Sequence, residues 1–116
     1  MTDDDGGMAG VERRRLADLI EFDPGRMAKH RLFETDRTMT DVYCLEPGQE
    51  QLVHVHEASD KVLVVMAGRV LARVGDEYEE LAQYEAVLAP AGEAHALKNL
   101  GPDPAVLLVF VGPRLR

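Results

Sequence analysis

Beyond Gly25 the chain runs as short apolar segments, many of them alternating apolar with polar residues, each closed by a cluster of turn-forming residues. Alternation with a period of two is the mark of a half-buried strand, because successive side chains leave a strand on opposite faces. The pattern predicts strands over residues 28–34, 38–45, 51–56, 61–67, 69–74, 77–81, 86–89, 94–98 and 105–111. Glu46-Pro47-Gly48, Ala67-Gly68, Gly75-Asp76, Pro90-Ala91-Gly92 and Gly101-Pro102-Asp103-Pro104 supply the breaks. Many short, evenly spaced strands in one domain indicate a sandwich or barrel of the double-sheet jelly-roll type. Ahead of them, Leu16, Leu19 and Ile20 recur at helical spacing with Arg13, Arg14 and Arg15 on the other side, so a short helix is expected within residues 11–22, ended by Asp23-Pro24-Gly25. The flanking acids Glu12, Asp18 and Glu21 make the arginine triplet a solvated helix face rather than a phosphate site. Residues 1–10 are acidic and glycine-containing and read as a disordered tail, residues 11–37 as the helix and first strand, and residues 38–116 as the barrel. The last run, residues 105–111, is apolar on both faces, which requires a central strand or cover by a second copy, and a homodimer is expected.

At 116 residues the chain is long enough for one domain and one modest core. Its 13 basic and 21 acidic residues give a net charge of -8, which repels nucleic acid and anionic membrane surfaces. No apolar stretch approaches the roughly 20 residues of a membrane span, and the first residues lack the basic start and apolar centre of a signal peptide, so a cytoplasmic location is expected. Cys44 is the only cysteine, which excludes an intrachain disulfide and a thiolate cluster, and its place in an apolar run makes it a buried small side chain.

The candidate chemistry lies in the histidines. His54 and His56 stand two apart in Leu52-Val53-His54-Val55-His56, so a strand puts both rings on one face, about 6.6 Å apart along the chain. Both rings can then lean toward one ion at bond lengths of about 2.0–2.1 Å. His95 follows a long return and has to be delivered by the fold; its strand aims His95, Leu97 and Asn99 to one side, toward the pair from the opposite sheet. Gly48 and Gly68 punctuate what reads as a hairpin-like pair. Three inward imidazoles are costly unless they bind something or are wetted, because each neutral ring needs a donor and an acceptor partner.

These residues, in this order, resemble the small single-domain cupins over residues 38–111. Gly48, His54, His56 and Gly68 fall in register with the family's first motif, with Lys61 at the place of its glutamate. Pro90, Gly92, His95 and Asn99 match the second, with Tyr84 where its first glycine would stand. The resemblance implies an all-β double-stranded β-helix, a jelly-roll cupin barrel, with the short helix lying outside the matched segment. It also implies a divalent transition metal, Fe, Mn, Ni or Zn, held by His54, His56 and His95, since imidazole by itself does not choose among them.

Lys61 is the departure, because a protonated ammonium close to a divalent cation is repelled by several kcal/mol at an effective dielectric of about 20. It can be deprotonated by burial, turn to solvent, or stay charged and pair with an anionic substrate, which makes it the candidate catalytic residue. Asp60 and Glu57 are near in sequence but would need a bulge to reach inside. Tyr43, Gln51, Arg73 and Tyr78 could orient a ligand but read first as surface or rim residues, Met39 and Met66 as core or pocket wall, and His30 as a surface strand residue. Three functions compete. One is a metal cupin with dioxygenase-like or hydrolytic chemistry on a small organic anion; a second is a metal-free enzyme, similar to epimerase- or isomerase-type cupins, with His95 or His54 as base and Lys61 as acid; the third is a small-molecule-binding module without chemistry.

Overall fold

The computed structural model describes residues 10–115. The acidic tail expected over residues 1–10 lies, apart from Gly10, outside the described residues. Nine strands follow one another: β1 (Ala28–Glu34), β2 (Met39–Leu45), β3 (Glu50–Val55), β4 (Asp60–Ala67), β5 (Val70–Val74), β6 (Glu77–Leu81), β7 (Ala86–Ala89), β8 (Ala94–Lys98) and β9 (Ala105–Gly112). Each predicted strand is present, with ends displaced by at most one residue.

The strands form a five-stranded sheet in the order β1-β2-β9-β4-β7 and a four-stranded sheet in the order β3-β8-β5-β6, and every pairing is antiparallel. The sheets face each other across a core of Tyr43, Leu45, Leu63, Val65, Leu107 and Val109 from the first and Val70, Ala72, Leu81 and Leu97 from the second. This is the expected jelly-roll architecture with one correction: the sheets are not closed into a barrel, and β1, β7, β3 and β6 remain at the edges. A second correction concerns the segment between Gly48 and Gly68. β3 and β4 are not a hairpin but belong to different sheets, so the chain crosses the sandwich between them and can supply chemistry to both walls.

The two-faced apolar run is explained by position, since β9 is central, bonded to β2 on one side and β4 on the other. Its inward row of Ala105, Leu107, Val109 and Val111 is buried in the core, while Val106 packs outward with Val42 and Cys44. Leu16, Leu19 and Phe22 cover that outer cluster. The helix expected there is only a single 3-10 turn, Leu16–Leu19, between extended residues Arg15 and Ile20. The reason is local: Leu16 and Leu19 are three apart, so one 3-10 turn already places both on the sheet, no side chain caps the start, and a longer isolated helix has nothing more to bury. Ile20, which a continuing helix would have turned inward, is 41% exposed.

Backbone strain locates two positions of the motifs. Gly68, between β4 and β5, has φ +80°, and a Cβ there would meet the Pro104 carbonyl oxygen at 2.5 Å. Tyr84, at the place of the absent motif glycine, is the one non-glycine residue with positive φ, 69°, among the described residues, and its ring is exposed. Gly68→Ala is therefore expected to destabilise the protein by about 2 kcal/mol or more, from left-handed strain plus overlap with backbone that cannot move aside. Tyr84→Gly should stabilise it by roughly 0.5–1 kcal/mol, the left-handed penalty relieved less the extra entropy of glycine. Urea unfolding midpoints at equal slope measure both.

Candidate metal centre

β3 is an edge strand whose one hydrogen-bonded neighbour among the described residues is β8, and the register of that pair builds the site. His54 stands directly opposite His95, and Val55 opposite Ala94. His56 follows the last residue of β3 and returns to the face of His54. The ring centroids lie 4.1 Å apart for His54 and His95, 4.8 Å for His54 and His56, and 5.4 Å for His56 and His95. All three predicted residues converge, but His95 comes from the adjacent strand of the same sheet, not from the opposite sheet as expected from the sequence.

Hydrogen bonds fix the tautomers of two rings. His54 Nδ1 lies 2.9 Å from the Leu52 carbonyl oxygen and His95 Nδ1 lies 3.2 Å from that of Glu93. A carbonyl only accepts, so each Nδ1 carries the proton and each Nε2 is left with a lone pair. Burial, the largest cause in each case, holds all three imidazoles below the usual histidine range, and His95 is pushed down to about 4. All three rings are therefore neutral at pH 7, the form that ligates a metal.

His95 is 3% exposed, and its Nε2 is the one buried side-chain nitrogen or oxygen among the described residues with no hydrogen-bond partner. The candidate ligand atoms of the three histidines lie within 4.8 Å of one another. Three atoms tetrahedrally placed about 2.1 Å from one ion lie about 3.4 Å from one another, so side-chain adjustments of roughly 1–1.5 Å bring the most widely separated pair onto a shared cation. Orphaned lone pair, neutral rings, fixed tautomers and spacing all fit a divalent metal. A carboxylate ligand does not join them: Asp60 Oδ1 accepts the Ala91 N–H at 2.9 Å, and both Asp60 and Glu57 are exposed.

The opposite wall is supplied by the five-stranded sheet. Lys61, on β4, is 1% exposed and points into the sandwich, so the solvent-facing alternative is removed. Its Nζ donates to Gln51 Oε1 at 3.1 Å and lies 5.2 Å from the centroid of the Tyr43 ring. Gln51 Nε2 in turn stands 3.5 Å from Tyr43 Oη. Desolvation, followed by the positive charge of Lys29, pushes Lys61 down to about 8, and burial pushes Tyr43 up to about 12. These residues line a cavity of about 480 Å³ together with His54 and His56. A larger depression of about 660 Å³ between Glu21 and His30 contains no such convergent set.

Gln51 and Tyr43 thus belong to the cavity and not to the rim. The signal for Tyr43 was its period with Asp41 and Leu45, all inward on β2. Gln51 was hidden by a register shift in β3 between Gln51 and His54. Three residues apart, they would face opposite ways on a regular strand, and the irregularity brings both inside. Arg73 and Tyr78 stay outside, the Arg73 guanidinium 5.8 Å from the Tyr78 ring. Met39 lines the cavity, Met66 packs on the outer cluster, and the half-buried His30 bonds the Glu21 carbonyl through Nε2 at 2.8 Å. Asn99, the motif asparagine, is structural: its Nδ2 donates to the carbonyls of Leu45 and Asp103, and its Oδ1 accepts the Gly101 N–H.

A buried ammonium without an ion pair costs stability, and the pH dependence of that cost can be measured. Below about pH 8 both folded and unfolded chains carry the Lys61 proton and the fold bears the penalty. Between about 8 and 10.5 the unfolded chain holds more protons than the folded one, so stability rises with pH. A displacement of this size is worth about 3 kcal/mol. In urea titrations of metal-free protein, Lys61→Met is expected to be more stable than wild type at pH 7, by roughly 1–3 kcal/mol, and to lack the wild-type gain between neutral and alkaline pH. Parallel pH profiles for the two proteins would refute the assignment.

Known proteins agree with this architecture. The family model described as Cupin domain matches residues 41–111, more than half of the chain. The crystal structure of TT1209 from Thermus thermophilus is similar with a TM-score of 0.87 and 45% identity, covering 90% of this chain and 100% of that one. An uncharacterized protein of Streptomyces coelicolor is 35% identical over 70% of this chain and 77% of its own length. The tetracenomycin polyketide synthase protein TcmJ of Streptomyces glaucescens is 33% identical over 60% of this chain, and the match spans 46% of that relative. Two antiparallel sheets in this topology, three convergent histidines at the motif positions and the match across the sandwich give one conclusion: the chain belongs to the cupin family.

Proposed function

We propose that this cupin holds one divalent transition metal on His54, His56 and His95 and presents it to a small organic anion in the adjoining cavity. The observation that carries the reading is the orphaned Nε2 of His95, buried in a cluster whose three candidate ligand atoms lie within 4.8 Å of one another and held in the ligating tautomer by the Glu93 carbonyl. Leaving such an atom unpaired costs about 1–3 kcal/mol, a cost that a bound cation removes. When bound, the ion supplies Lewis acidity and open coordination positions for the anion and for dioxygen or water, which makes dioxygenase-like or hydrolytic chemistry the leading activity. The protein's part is to orient the rings of His54 and His95 through backbone carbonyls, to exclude water from His95, and to face the anion with Lys61, Gln51 and Tyr43. Fe, Ni and Zn suit an all-imidazole set, and Mn, which favours oxygen ligands, is the weakest of the four candidates.

A second reading rests on Lys61. An inward cation near the triad also suits a metal-free cupin, either a binding module or an epimerase- or isomerase-like enzyme with His95 or His54 as base and Lys61 as acid. The ammonium is bonded to Gln51 and leaves the His95 Nε2 without a partner, which keeps the metal reading ahead.

Metal analysis of protein freed of any histidine tag separates the two. The expected result is near one equivalent of a transition metal, or calorimetric uptake of Zn²⁺ or Ni²⁺ at the same stoichiometry, with affinity lost by about a hundredfold or more in His95→Ala. Less than about a tenth of an equivalent, with no uptake on addition, would transfer the proposal to the metal-free reading.

The chain is also proposed to form a homodimer through the outer face of the five-stranded sheet. Thr40, Phe110, Val62 and Leu88 are cross-strand neighbours there, with Phe110 42% and Leu88 53% exposed. A row of this kind supports cover by a second copy. Sedimentation velocity at micromolar concentration should give twice the chain mass for the wild type and the monomer mass for Phe110→Glu. A monomeric wild type would remove the proposal.

A further inference from the structure

The cavity carries a charge imbalance that the protein itself does not resolve. Lys61 has an ammonium with three protons, one of which goes to Gln51, and no carboxylate lies within ion-pair distance of it among the described residues. The one acid lining the cavity, Asp41, is already engaged by Arg31 Nε at 2.5 Å. Lys29 adds a second positive charge at the cavity, its Nζ 5.6 Å from the centroid of the Tyr43 ring. In a chain of net charge -8, the two lysines, set beside the imidazoles of His54 and His56 and an Asp41 already paired with Arg31, make a locally positive hollow. A buried cation with unfilled donors costs several kcal/mol unless an anion completes it. The apolar part of the lining is Met39, Val111 and Leu115; Val111 is the cross-strand neighbour of Lys61 on one side and of Met39 on the other, so this apolar surface begins directly beside the ammonium.

We propose that Lys61 anchors a carboxylate subsite, and that the ligand is a small monocarboxylic acid whose carboxylate lies between the Lys61 ammonium and the imidazole cluster, with its apolar remainder against Met39, Val111 and Leu115. Gln51 is the positioning residue. It bridges Lys61 and Tyr43, which fixes the ammonium over the ring and leaves two of its protons for the ligand. A charge-assisted bond of this kind discriminates: a carboxylate satisfies the ammonium, whereas the neutral amide of the same shape leaves it partly unpaired. The cavity volume of about 480 Å³ is at the small end of ligand pockets and suits a short-chain or single-ring acid. An inorganic phosphate is a poorer fit, because it offers nothing to the apolar wall and the Arg31 guanidinium is already bonded to Asp41 and Glu34. The proposal rests on the metal reading only where it has the loaded ion draw the same carboxylate more tightly.

The test titrates butanoate and benzoate, butanamide and benzamide, and inorganic phosphate into metal-stripped protein from which the chelator has been dialysed away, read by calorimetry and by NMR shifts of the Lys61 and Gln51 side chains. The acids are expected to bind about tenfold or more tighter than their amides and tighter than phosphate, with the Lys61 and Gln51 signals moving, and Lys61→Met should lose that margin while keeping the dispersed spectrum of a folded chain. The amide comparison is made on the wild type and needs no variant to fold. Amides binding as well as acids, phosphate binding more tightly than either acid, or a folded Lys61→Met retaining wild-type affinity would each overturn the subsite. Metal uptake is measured separately on the same preparation. Acid binding without metal uptake sinks only the metal reading, and metal uptake without acid preference sinks only this one.

Discussion

The antiparallel pairing of β3 with β8 sets His54 opposite His95, and the chemistry of this protein depends on that register. β3 is an edge strand with one neighbour, so nothing on its other side corrects a slip. A shift of one residue would turn His54 and His56 to solvent and leave His95 facing an apolar side chain. The alternation in β8 opposes such a slip, because it buries His95, Leu97 and Asn99 on one face, and Asn99 is tied to the carbonyls of Leu45 and Asp103. The motif asparagine thus acts at a distance from the site, by pinning the end of the strand that carries the third imidazole.

The two sheets bring different chemistry to one hollow. The four-stranded sheet contributes three neutral bases, two of them held in a fixed tautomer by main-chain carbonyls, and Gln51. The five-stranded sheet contributes a buried ammonium and a phenol whose ionisation burial pushes up to about 12. The glutamate that the family motif places at position 61 would have shared the charge of a bound ion; Lys61 adds to it instead. Under the proposed function, the charge of Lys61 is balanced by a ligand that carries a negative charge.

Strand positions were legible because alternation and turn chemistry are local. The strands around Val42, Leu63, Ala72 and Leu107 end within a residue of where the pattern puts them, whereas the two-faced apolar run of β9 left a central strand and cover by a second copy both open until its pairing with β2 and β4 decided for the centre. The helix was misread because Leu16, Leu19 and Ile20 satisfy a helical period on paper, whereas the sheet offers a surface wide enough only for Leu16, Leu19 and Phe22. Tyr84 shows the converse: its backbone keeps the left-handed conformation of the motif glycine although the residue has changed, since the turn into β7 requires it and an exposed ring tolerates it.

By itself the sequence determined that the chain is all-β with two sheets of the jelly-roll type and that His54 and His56 share a face, because these follow from spacing along one chain; that position 61 lacks an acid followed from the resemblance to the cupin motif. Only the tertiary structure decided that His95 joins them from the neighbouring strand and not from across the sandwich, that Lys61 points inward from the opposite sheet, and that Gln51 and Tyr43 complete the cavity. The physical reason is that strand order, sheet membership and a single register irregularity are set by which apolar surfaces bury one another. Those pairings connect residues far apart in sequence and leave no periodic trace within any one segment.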